Sequence, residues 1–125
     1  MGFILSILSA LIFNLTGGDV PYSAVESAFN NGDAAKIVAY GKDKILLNVM
    51  DKEGVYASAQ ATQVLKEFFT KKPASSFKFS FKGTTSDGAN AMGNYVSKGE
   101  TFRVTLKWAK MSSEFKIESI TIEKS

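Results

Sequence analysis

A chain of 125 residues has room for one domain around one core, and 45% hydrophobic with 22% charged residues is a globular composition that excludes disorder. It has neither Cys nor His, which excludes disulfides, thiol nucleophiles, Ser-His-Asp triads, cysteine lipidation and most zinc sites together. Its net charge of +3 comes from lysines spread along the chain with a single arginine, Arg103, which is not the clustered arginine with interleaved aromatics of a nucleic-acid reader.

The first segment runs apolar from Phe3 to Phe13, diluted by Ser6, Ser9 and Ala10. That is the length of a signal-peptide core and falls short of the roughly 20 residues a spanning helix needs. Thr16-Gly17-Gly18 supplies small residues for cleavage, so 1–18 reads as a signal peptide and 19–125 as one domain without a stable membrane span. No Lys or Arg precedes the apolar run, which leaves a first helix packed on the domain as the alternative.

Pro21 can open a helix whose Val25, Ala28 and Phe29 share a face, and Asn30-Asn31-Gly32 ends it. Asp33 can cap a second helix carrying Ala34, Ile37 and Val38, with Gly41 placed to stop it. Ile45 to Met50 alternates as a strand. Asp51 and Glu53 follow, one residue apart, and in extended backbone they would point the same way. Hard cations take six or more oxygens, no further acid is close in sequence, and Lys52 stands between them. The stretch therefore reads as a solvated corner between a strand and a helix, with Gly54 permitting the turn, and no metal site is assigned. Val55-Tyr56 is briefly extended. Ser58 can cap a third helix with Ala61, Val64, Leu65, Phe68 and Phe69 on one face, stopped by Pro73.

From Ser76 onward the pattern is strand and hairpin. Phe77, Phe79 and Phe81 alternate with Lys78, Ser80 and Lys82, predicting an apolar inner face and a polar outer one. Ser86-Asp87-Gly88 turns, and it is no phosphate loop because neither the Gly-Lys-Ser/Thr ending nor a helix follows. Gly93 marks a bulge or close backbone approach in the next strand. After Lys98-Gly99-Glu100, Phe102, Val104, Leu106 and Trp108 oppose Thr101, Arg103, Thr105 and Lys107. Ser112-Ser113-Glu114 turns again. Phe115 and Ile117 then fall in one parity and Ile120 and Ile122 in the other, which predicts a bulge near Ser119.

Helices followed by a meander of four antiparallel strands make an α+β domain. Three pieces carry a resemblance: DVPYSAVESAFNNGDA, GVYASAQATQVLKEFFTKKPASSFKF and FRVTLKWAKMSSEFKIESITIE, together nearly all of residues 19–123. They resemble the nuclear transport factor 2-like (cystatin-like α+β) superfamily, and within it an uncharacterised family of small secreted Bacteroidetes proteins. The resemblance implies three helices packed on a curved antiparallel sheet, a signal peptide and a secreted or periplasmic home. It carries over no active site.

The superfamily includes ketosteroid isomerases, polyketide cyclases and scytalone dehydratases, which use Asp or His bases in the cone between helices and sheet. This chain has no His, and its later strands place no acid on the Phe-rich faces, leaving Asp51 and Glu53 as the acids expected near a cavity mouth. The expectation is a non-enzymatic domain with no catalytic residue and no cofactor. It binds a small apolar or amphipathic ligand in its cavity, or a protein through its sheet. A cavity enzyme of the isomerase, cyclase or dehydratase kind, acting on a lipid-like or aromatic substrate, is the alternative. Tyr22, Tyr40, Tyr56 and Tyr95 are amphipathic and can line a pocket or sit at the core edge, and the last three are taken as ligand-binding candidates. Trp108 is a candidate ligand platform whose plainer role is core packing. Arg103 is a candidate carboxylate anchor whose plainer role is a solvated sheet face. That face, with Thr105 and Lys107, is the one expected to meet solvent or a second copy in a homodimer.

Overall fold

The computed structural model describes residues 19–125, so the expected signal peptide at 1–18 lies outside the described residues. Helix α1 (Tyr22–Asn30) buries Val25, Ala28 and Phe29. Gly32, at φ +61°, ends it: the Gly32 amide donates to the Phe29 carbonyl at 3.1 Å and that of Asp33 to Ala28 at 2.9 Å. This paired return is why the helix stops at a glycine. Helix α2 (Ala34–Ala39) is capped by Asp33, whose carboxylate accepts from the Lys36 amide at 3.1 Å. Gly41 does not end α2, which closes at Tyr40; Gly41 opens strand β1 (Gly41–Val49).

The corner between strand and helix turns out to be a hairpin. Strand β2 (Lys52–Ala57) pairs antiparallel with β1, Val49 opposite Lys52, through the two-residue turn Met50-Asp51. Both turn residues have positive φ, +53° and +70°, so the chain makes here without glycine a turn usually written Asn-Gly. Asp51 sits on the turn and Glu53 on β2, opposite Asn48. β2 runs straight into α3 (Ser58–Lys71), whose N-cap position is Ala57 rather than Ser58. That helix buries Ala61, Leu65, Phe68 and Phe69, while Val64 is half-buried.

Strands β3 (Ser76–Thr84), β4 (Gly88–Ser97), β5 (Glu100–Met111) and β6 (Glu114–Lys124) form the expected meander. The six-stranded sheet has the order β2-β1-β6-β5-β4-β3 and is mixed: β1 and β6 run parallel, every other pair antiparallel. The all-antiparallel expectation is corrected at that one pair. Period-2 alternation tells which face of a strand is buried, but not which strand lies beside it. Ile117, Ile120 and Ile122 of β6 are all fully buried, as suits a strand in the middle of a sheet covered by helices. The bulge expected near Ser119 is at Glu118, where Lys107 opposite Ser119 gives way to Trp108 opposite Ile117.

β3 is an edge strand, and α1 covers its free backbone. The Asn30 side chain accepts from the Phe77 amide and donates to the Phe77 carbonyl, both at 2.8 Å, and Glu26 Oε2 accepts from the Phe79 amide at 2.9 Å. One asparagine thus satisfies the pair of groups that a seventh strand would otherwise seek. Asn30→Ala should cost about 1–3 kcal/mol, because it strands a donor and an acceptor beside a buried phenylalanine. A urea titration checks this, and an unchanged midpoint would show that water replaces the amide at no cost.

Beside the start of β3, where Tyr95 lies opposite Phe77, Lys72 closes α3. Its carbonyl accepts the Tyr95 hydroxyl, and its ammonium lies 2.6 Å from Glu100 Oε1; Lys124 holds Oε2 at 2.8 Å. Burial pushes the Tyr95 phenol up to about 12. The hydrogen bonds from Lys124 and then Lys72 hold the Glu100 carboxyl at about 2, below its ordinary 4.5. Between those two values the unfolded chain binds the extra proton, so this contribution is complete above pH 4.5 and is lost as pH falls through about 2. Denaturation midpoints recorded from pH 5 downward should fall more steeply for the wild type than for Glu100→Gln. Parallel curves would remove Glu100 from the acid response.

Candidate functional site

The site follows from one extra residue in β3. Phe79 lies opposite Gly93, but Phe81 lies opposite Met92, so Ser80 is bulged out and the strand's parity inverts beyond it. Phe77 is buried and Phe79 half-buried on the helix-facing side. Phe81, expected inside, is 51% exposed beside Met92 on the outer face. Lys82 and Thr84, expected outside or unassigned, now lie opposite the buried Ala91 and Ala89 on the helix-facing side.

Gly93 confirms the close approach: a Cβ there would meet the Lys78 carbonyl at 2.8 Å and the Phe77 ring at 2.6 Å. With Ala89, Ala91 and Gly93 as the inner residues of its first half, β4 projects little bulk there between β3 and the Trp108 strand. Tyr22, at the start of α1, fills part of that space. Its ring meets Trp108 edge-on at 5.2 Å and Phe79 at 5.9 Å, and its hydroxyl shares a 2.8 Å hydrogen bond with Thr84 Oγ1. The Lys82 ammonium stands 5.5 Å from the Tyr22 ring centre.

Around these residues opens a cleft of about 780 Å³ between α1 and β3. Val20, Tyr22 and Phe79 are its apolar walls; Asp19, Ser23, Glu26, Lys82 and Thr84 are its polar ones. The acids at the cleft are therefore Asp19 and Glu26, not Asp51 and Glu53, which lie on the β1–β2 hairpin. Glu26 is already engaged through Oε2 with the Phe79 amide. The domain interior behind the cleft is filled: Trp108, Tyr95, Phe29 and Phe102 are the largest fully buried side chains there. Among the described residues no group of three or more acidic side chains is placed to hold a metal ion.

The five residues singled out from the sequence do not come together. Tyr95 is fully buried against Phe68, Phe69 and Phe102. Trp108 is 1% exposed in the core, its indole nitrogen without a partner among the described residues. Tyr40 caps α2, its carbonyl accepting from the Ile117 amide at 2.9 Å, and Tyr56 lies on β2 with its ring over Gly54. Arg103 is exposed on the outer face, opposite Asn94 and Glu123. Of the four tyrosines it is Tyr22 that lines the cleft. Lys82 was missed because a strict period of two carries it outward. The signal available in sequence was Gly93, the residue facing the bulge.

A family model described as "Domain of unknown function (DUF4783)" matches residues 22–123. The chain belongs to the DUF4783 family. A solved DUF4783 protein from Bacteroides ovatus is 27% identical, with a TM-score of 0.81 over 87% of this chain and 98% of its own. One from Bacteroides uniformis is 24% identical, with a TM-score of 0.80 over 86% of this chain and 98% of its own. A protein from Shewanella baltica described as NTF2-like and of unknown function is 11% identical, with a TM-score of 0.64 over 83% of this chain and 87% of its own. The last two likenesses speak for the fold alone. Among curated proteins, none matches the chain. The superfamily resemblance read from the sequence thus holds, and this DUF4783 chain has an NTF2-like α+β fold with three described helices on a mixed sheet.

Proposed function

We propose that this DUF4783 protein is a non-enzymatic domain of the periplasm or cell exterior that binds a small amphipathic ligand between α1 and β3. The observation that carries the reading is the cleft itself. At about 780 Å³ it falls in the range of about 300–1,000 Å³ usual for small-molecule sites, and it combines aromatic walls with a few polar groups. The bulges at Ser80 and Glu118 support a sheet that curves about the helices, since an extra residue bends the strand that carries it. Native mass spectrometry of protein purified from its own host tests the reading: a retained small molecule is expected, released by Tyr22→Ala. The same preparation, sequenced from its N-terminus, should begin near Asp19, and an intact Met1 would speak against export by a cleaved signal.

One observation favours a second reading. Glu26 lines the cleft and provides the acid that a proton-transferring enzyme of the isomerase or dehydratase kind would need. Such an enzyme would release a converted molecule, and Glu26→Gln would abolish conversion while leaving binding. The outer sheet face is a further contact, with a second copy of this chain as its partner. Phe81 at 51%, Val55 at 65% and Leu46 at 37% exposure put apolar surface there among threonines and lysines. Light scattering of Phe81→Lys tests it, and an oligomeric state identical to the wild type's would discard the contact.

A further inference from the structure

We propose that the ligand of this cleft is an organic anion on an apolar body, such as a carboxylate or sulfonate, and that Lys82 determines its charge. This rests on the reading of the cleft as the ligand site. Lys82 is the cation on the cleft wall, and none of the five ion pairs among the described residues includes it. Its position is built by the fold: without the extra residue at Ser80 its side chain would project from the outer face, away from the cleft. Bulges are a recurrent means of re-aiming a side chain at a binding site.

The opposite charge choice is blocked by the chain itself. A cationic ligand would take the face of Tyr22, where attraction to the aromatic quadrupole is greatest. That place already holds the Lys82 ammonium, 5.5 Å from the ring centre. Of the two acids on the cleft, Glu26 gives Oε2 to the Phe79 amide at 2.9 Å, and Asp19 is exposed. An anion beside Tyr22 meets the Lys82 ammonium and, next to it, the hydroxyls of Tyr22 and Thr84, whose mutual bond at 2.8 Å leaves one hydroxyl proton free to donate outward.

Two dyes that share one ring system separate charge from apolar contact: 8-anilinonaphthalene-1-sulfonate and its uncharged relative N-phenyl-1-naphthylamine. An apolar cleft alone would favour the neutral dye. Fluorescence titration of the whole protein should instead show the sulfonate binding about tenfold more tightly, the scale of one charge-assisted hydrogen bond. Lys82→Gln should erase that preference, Lys82→Arg should keep it, and Tyr22→Ala should weaken both dyes. Near-UV circular dichroism confirms that each variant is folded. Equal affinities for the two dyes, unchanged in Lys82→Gln but both reduced in Tyr22→Ala, would overturn the charge assignment and leave the cleft standing. No saturable binding of either dye, or indifference of both to Tyr22→Ala, would overturn the cleft and the assignment with it.

Discussion

Phe77→Ala should cost about 3–5 kcal/mol, and Phe81→Ala, in the same alternating run, less than about 0.5 kcal/mol. Phe77 is 3% exposed; its ring stacks on Phe29 at 4.7 Å and meets Phe79 edge-on at 5.1 Å. Removing it leaves a void between α1 and the sheet that the pinned edge strand cannot close, because Asn30 fixes the Phe77 backbone at both its polar atoms. Phe81 has half its surface in water and gives up little on truncation. Denaturant titrations of the two variants measure the difference. Equal losses would mean that β3 runs without the bulge at Ser80, which would also return Lys82 to the outer face and remove it from the cleft.

How far the sequence could be read follows from these same residues. Helix faces were legible because Val25, Ala28 and Phe29, or Leu65, Phe68 and Phe69, repeat with the helical period, and the structure buries them all. The inner face of β5 was legible for the matching reason, an unbroken alternation from Phe102 to Trp108. Where legibility failed, a backbone irregularity had no residue in its own segment to announce it, and Gly93 signalled the Ser80 bulge only from the neighbouring strand. The Met50-Asp51 turn contains no glycine, so Gly54 drew the attention, and β2 shrank to Val55-Tyr56 in the reading. The Ser80 bulge inverts Phe81 and Lys82 although the side chains alternate without a break. The cleft was hidden for a further reason. Tyr22, Glu26, Lys82 and Thr84 come from two elements whose contact depends on Asn30 and Glu26 reaching the β3 edge, and no local period encodes that contact.

Trp108→Ala should be as severe as Phe77→Ala, about 3–5 kcal/mol, while Trp108→Phe should cost distinctly less. The indole is 1% exposed, on the inner face of β5 between Ala89 and Ile117, with Tyr22 packed edge-on above it. Alanine would open a large void under Tyr22. Phenylalanine restores most of the ring and removes the indole N–H, which lies buried without a partner among the described residues. Leaving such a donor unpaired costs about 1–3 kcal/mol, so its deletion offsets part of the lost packing. Circular dichroism in urea measures both variants, since the substitution removes the chain's one tryptophan as a fluorophore. If Trp108→Phe proves as damaging as Trp108→Ala, the indole N–H makes a hydrogen bond and is not the unpaired donor that the described residues leave it.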